Sequence, residues 1–226
     1  MTHWEPTIRE LCQAQELRGW LKSDSGKLSV CLLLIIGGGA LYGVSLGIWR
    51  SPLQALFVAI KFPLLLLLTA SGTALINGML AQLLNAPMSF RQSLLAVLMS
   101  FALLAVLLAA FTPLIFFLLW QLPAMASSNQ ADAHRIFLLA NVVIIAFSGT
   151  LANLQLYHLL RQISDATAGK ILSVWLGMNL FLGAQLSWNL RPFFGTPSLS
   201  VSFLRDNPFN GSFYETIFHL AQRSVL

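Results

Sequence analysis

The chain has 226 residues, of which 57% are apolar and 9% charged, with a formal net charge of +5 and a mean hydropathy of +0.75. Soluble domains carry about 25% charged residues and about 45–50% apolar ones, so the composition excludes a soluble enzyme, a disordered tail and a disulfide scaffold. The 13 basic residues are scattered singly, which fits lipid headgroups at span edges and not nucleic acid.

Residues 1–27 form an amphipathic N-terminal segment. Between Glu5 and Trp20, Ile8, Leu11, Cys12 and Leu17 alternate with nearly balanced charges. Such a helix lies on a membrane surface or binds a partner. Crossing about 30 Å of hydrocarbon takes about 20 apolar residues as a helix. Residues 28–190 supply five such runs, at about 28–49, 63–84, 92–120, 136–160 and 171–190. The expected fold is an all-α integral membrane bundle of about five transmembrane helices. The first run is too long, and too far from the start, for a cleaved signal peptide. Pro63 is expected to open the second span and Pro113 to kink the third. Ser51 to Lys61 reads either as a short extra helix or as an extension of the second span.

Charge placement sets the expected orientation. The bases divide seven to six between the two sides, with Arg50, Lys61, Arg135, Arg191, Arg205 and Arg223 on the second. The N-terminal cluster Arg9, Arg18, Lys22 and Lys27 places the N-terminus in the cytoplasm and the C-terminus outside, because the first span usually dominates. Trp49, Trp120 and Trp188 mark one interface, and Tyr157 and Trp175 the other.

Gly39, Gly43 and Gly47 recur every fourth residue on the first span and make a flat groove. A groove of that kind admits a neighbouring span or another subunit. Amides and hydroxyls punctuate the other spans: Thr69, Thr73 and Asn77 in the second, Asn141, Ser148 and Gln155 on one face of the fourth, Asn179, Gln185 and Asn189 in the fifth. They line a water-filled path or tie helices together, at about 0.6 kcal/mol per bond.

All eight acidic residues lie outside the five runs, and none falls between Asp24 and Asp132. Ion-coupled carriers rely on an ionisable group at membrane depth, and none is evident. The four histidines are far apart and no Cys-x-x-Cys or His-Glu-x-x-His occurs. The chain therefore reads as a non-enzyme with no cofactor or metal.

Residues 191–226 are an aromatic-rich tail. Phe193, Phe194, Phe213 and Tyr214 belong to it, and Ser212-x-x-Glu215 is a capping box that starts a helix over 212–224. That helix lies in the headgroup region, packs over the bundle or docks on a partner. Arg191, which with Pro192 ends the fifth span, is placed to pair with a lipid phosphate or with Asp206, and Arg205 follows in the same tail.

The run Gly183-Ala-Gln-Leu-Ser-Trp-Asn-Leu-Arg-Pro-Phe-Phe-Gly195, followed by Phe203-Leu-Arg205 and Asn210-Gly-Ser-Phe-Tyr214, resembles a group of uncharacterised bacterial polytopic membrane proteins. Ser51-Pro-Leu-Gln-Ala-Leu56 and Lys61-Phe-Pro-Leu-Leu-Leu-Leu-Leu-Thr69 extend that likeness. The resemblance implies a bacterial inner-membrane location and no particular activity. Similarity to the five-span Yip1-type membrane proteins is in span count only.

Two functions fit these features. The first is a non-catalytic membrane subunit or scaffold, in contact with lipids and with other membrane proteins in a homo- or hetero-oligomer. The second is a small passive channel or a lipid- or solute-handling protein.

Overall fold

The computed structural model describes residues 9–13, 17, 19–21, 26–83, 88–122, 130–195 and 200–225, the side chains of 75, 77, 80–82, 130, 131, 219–221 and 223–225 excepted. The main helices are α1 Gly26–Gly47, α2 Pro52–Leu83, α3 Phe90–Gln121, α4 Gln130–Ile163, α5 Asp165–Asn189 and α6 Phe213–Val225. The first five are long and apolar enough to cross a membrane. The protein is an all-α, multi-pass integral membrane protein.

The second helix begins at Pro52, eleven residues before Pro63, so Ser51 to Lys61 is its first three turns. The local reason is a cap: Ser51 Oγ accepts from the Gln54 backbone N–H at 3.0 Å, and proline suits the first helical position because it has no N–H to leave unpaired. Pro63 therefore sits inside α2. The missing N–H is tolerated because packed neighbours and the surrounding helix absorb it. Ser89 caps α3 in a full capping box with Gln92. Helices α4 and α5 are joined through the single residue Ser164, and exposed Arg161 pairs with Asp165 across that corner at 2.5 Å.

Helix α1 is the centre of the bundle and packs most extensively on α2 and α3. Its small residues make this possible. A Cβ on Gly43 would stand 2.5 Å from the Val58 carbonyl oxygen, one on Gly47 2.6 Å from that of Gln54, and one on Gly39 3.3 Å from the Pro63 Cα. The neighbouring face repeats the device: a Cβ on Gly38 would lie 2.6 Å from the Ala105 oxygen of α3. The glycine groove is thus filled by the chain's own second helix and offers no open surface to another subunit. Farther out, α2 packs on α5, α5 on α4 and α4 on α3, which closes a ring. Burial falls from 56% of the spanning window of α3 to 11% of that of α5, so α5 sits at the periphery, mostly half-buried, with Leu180 and Phe181 exposed.

Two sequence expectations change. Trp175 is fully buried and belongs to the core, not to an interfacial belt. The N-terminal segment does not simply rest on a membrane: Leu11, Leu17 and Trp20 are buried in the same core cluster as α1. Trp20 Nε1 donates to Glu10 at 2.8 Å, and Lys27 pairs with the same carboxylate at 3.3 Å. The indole bond, with Lys27 behind it, holds the Glu10 carboxyl below the usual carboxylate range. Ile8 lies outside the described residues.

Adding a methyl group at Gly43 forces apart two backbones that nothing flexible separates. Gly43→Ala should lower stability in detergent by about 1–3 kcal/mol. Gly37→Ala, where a Cβ meets nothing within 4 Å, should be neutral or slightly stabilising. Thermal unfolding followed by circular dichroism checks both, and equal melting for the two variants would refute the close approach.

Candidate functional site

Because α2 and α4 stand on opposite sides of the ring, a cavity of about 950 Å³ remains inside it, walled by α1, α2, α4 and α5 and covered by the tail. Its two ends differ in chemistry. Leu46, Phe62, Leu65, Leu138 and Ile145 line it among the spans. At the other end stand Arg50, Arg191, Arg205, Gln54, His134 and Asp206. Three arginines against one carboxylate make that end cationic.

Tail and bundle hold each other through a few buried polar groups. Gln54, fully buried, donates from Nε2 to the carbonyl oxygens of Pro192 and Phe193 at 3.1 and 3.2 Å. Lys61 Nζ donates to the same Pro192 oxygen at 3.0 Å and sits 5.0 Å from the Phe203 ring centroid. Lys61, expected at a span edge, is drawn into the packing between the second helix and the tail. Lys61 is fully buried within the spanning part of α2, about 13 Å along the axis from Pro52 at 1.5 Å per residue. Its long stem lets the ammonium reach back to the tail carbonyl.

Aromatic contacts complete the cover. Phe194 meets Phe137 edge-on at 5.7 Å, Phe137 lies 5.3 Å from Trp49, and Trp49 stacks on His134 at 5.8 Å. Phe193 packs against the core cluster. Gly195 takes φ +68 where the tail passes Arg50, a conformation that disfavours side chains. Ser212 and Glu215 form their capping box, and α6 packs back on the bundle. Phe213 donates its backbone N–H to Gln185 at 3.1 Å, and Tyr214 donates its hydroxyl to the Phe181 carbonyl while stacking on that ring at 4.8 Å.

The two tail arginines share one indole. Arg191 lies 3.2 Å from the Trp188 ring centroid and Arg205 5.4 Å. Arg191 Nε donates to the Trp188 carbonyl, and Arg205 Nη2 to those of Pro208 and Asn210. Among the described residues neither has a carboxylate within ion-pair range, so the expected Arg191–Asp206 pair is not formed although both line the cavity. Burial and then the neighbouring Arg205 hold Arg191 below the usual arginine range. Four residues of the cavity lining each keep a buried polar atom that has no partner among the described residues: Gln54 Oε1, His134 Nδ1, Trp188 Nε1 and Arg205 Nε.

Several of the amides and hydroxyls expected to line a path are bonded within or between helices. Asn141 accepts from the Tyr42 hydroxyl at 2.7 Å and donates to the Phe137 carbonyl, tying α4 to α1. Thr69 and Thr73 donate to carbonyls of their own helix. Gln185 bonds Asn189 and the start of α6. Ser148, Gln155 and Asn179 each keep a buried polar atom without a partner, away from the cavity lining. The Asn77 side chain lies outside the described residues. What sequence reasoning missed is the set Gln54, Lys61 and His134, whose partners come from distant segments.

No protein family, no curated protein and no solved structure matches this chain.

Lys61→Met keeps the stem and removes the donor to Pro192. Tryptic cleavage at Arg205 should become several-fold faster, while the melting temperature moves little because a buried charge is removed together with its desolvation cost. Unchanged cleavage would show that the ammonium does not hold the tail.

Proposed function

We propose that this protein handles lipid: it takes one membrane amphiphile into the cleft beneath the tail, without catalysing a reaction on it. The observation that carries this reading is the polarity gradient of the cavity. A cationic, hydrogen-bonding end near the tail continues into an apolar end among the spans. A headgroup with its proximal chain has the same sequence of polarities, and burying the chain against Phe62, Leu65 and Leu138 contributes about 25 cal/mol per Å² of apolar surface. Ligand sites of about 300–1,000 Å³ commonly combine apolar walls with a few convergent polar groups. With the N-terminus cytoplasmic in a bacterial inner membrane, the orientation favoured by Arg9, Arg18, Lys22 and Lys27, the polar end faces the outer leaflet.

A second reading, a non-catalytic subunit or scaffold packed with other membrane proteins, rests on the broad apolar face of α4. Leu139, Val142, Val143 and Phe147 are all more than half exposed there. Lipid tails cover such a face as well as a protein does, and the glycine groove that favoured a subunit contact is occupied by α2.

The test is native mass spectrometry of the full chain released from detergent. One lipid per chain should survive delipidation. Leu138→Trp, which fills the cavity, should lose that lipid, whereas Leu139→Trp on the exposed face should keep it. Equal retention by both variants would sink the cleft reading, and a stoichiometric protein partner with no retained lipid would favour the subunit reading.

A further inference from the structure

Resting on the amphiphile reading, we infer that the polar end of the cleft is a phosphate site, and that its occupant is an anionic phosphate-diester lipid whose headgroup bears a hydroxyl.

Charge is the first reason. Arg191 and Arg205 are held against one indole, and among the described residues no carboxylate pairs with either. Two guanidiniums brought together in a partly buried site repel each other, and an anion between them turns that repulsion into attraction. Arginine is also the side chain that grips a phosphate with paired N–H groups. The single hydrogen bond of Arg191 among the described residues is made by Nε, so both terminal nitrogens remain for phosphate oxygens.

The unpartnered atoms are the second reason, independent of charge. Trp188 Nε1 and Arg205 Nε are buried N–H donors with no acceptor among the described residues. A buried donor without an acceptor costs about 1–3 kcal/mol, and phosphate oxygens are the acceptors such a pair requires. Gln54 asks for the opposite. Its amide orientation is fixed because Nε2 donates to two tail carbonyls. That leaves Oε1, on a fully buried residue of the same lining, as an acceptor with no donor among the described residues. A hydroxyl donates to it where a choline methyl does not. The apolar walls beyond Phe62 and Leu65 then distinguish a lipid from free phosphate.

The experiment measures binding to the delipidated full chain in mild detergent, by quenching of tryptophan fluorescence and by native mass spectrometry. The probes are phosphatidylglycerol, phosphatidylmethanol, phosphatidylcholine and inorganic phosphate. Phosphatidylglycerol should bind best, phosphatidylmethanol more weakly for want of the hydroxyl, and phosphatidylcholine at least about tenfold more weakly than phosphatidylglycerol, because its choline cation is repelled by the two arginines. Millimolar inorganic phosphate should not displace the lipid. Arg191→Gln should lower phosphatidylglycerol affinity about tenfold and narrow its advantage over phosphatidylcholine, with Arg191→Lys between the wild type and Arg191→Gln.

The ranking in the wild-type chain needs no variant, so a misfolded variant does not blunt the test. Equal binding of phosphatidylglycerol and phosphatidylcholine overturns the selection for an anionic headgroup while leaving an amphiphile cleft. Equal binding of phosphatidylglycerol and phosphatidylmethanol overturns the hydroxyl contact. Displacement by inorganic phosphate overturns the lipid in favour of a free anion. Failure to hold any lipid overturns the amphiphile reading itself.

Discussion

The close approach of α1 to α2 is the constraint on which the rest of the bundle depends. In lipid there is little hydrophobic force between helices, so association rests on van der Waals contact and on interhelical bonds. Glycine at positions 39, 43 and 47 removes the side chains that would hold two backbones apart, and at Gly43 and Gly47 the remaining gap is smaller than a methyl group requires. Pro63 belongs to the same contact, because its ring occupies the space opposite Gly39. With α3 brought close at Gly38, α1 becomes a wedge between two neighbours. The Tyr42–Asn141 bond then fixes α4 to that wedge.

The cleft follows from this arrangement. Close packing is spent on the α1–α2 and α1–α3 seams, while α5 is largely peripheral and α4 touches its neighbours along one edge. A space is left on the inner side of α4 and α5, and the tail covers it by bonding Pro192 and Phe193 to groups on α2. The tail brings two arginines with it and sets them on Trp188 at the end of α5. A basic pocket end is thus built from a sequence in which no two of its bases are neighbours.

Much of the fold was legible beforehand because its signals are local. Long charge-free runs read as spans, and Ser212-x-x-Glu215 read as a helix start, since a capping box needs only residues three apart. The boundary at Pro63 misread a proline that lies inside a helix; the informative pair was Ser51-Pro52, where an N-cap precedes proline. Trp175 is of a residue type that favours an interface, yet its environment is a packed core. Lys61 looked like punctuation between two apolar stretches. Its partner lies 131 residues away, and nothing within α2 announces that a carbonyl will be there to receive the ammonium.

The sequence by itself determined that this chain resides in a membrane, how many times it can cross, and that its carboxylates stand clear of the apolar runs. Those properties depend on composition and on periods of a few residues, which the chain carries wherever it folds. Tertiary structure alone decided that the glycine groove is filled from within and that a lysine is buried between the second helix and the tail. It also decided that scattered tail arginines share one cationic end of a cavity. Each of these depends on which distant backbone arrives opposite a given side chain, and that is a property of the packed helices together.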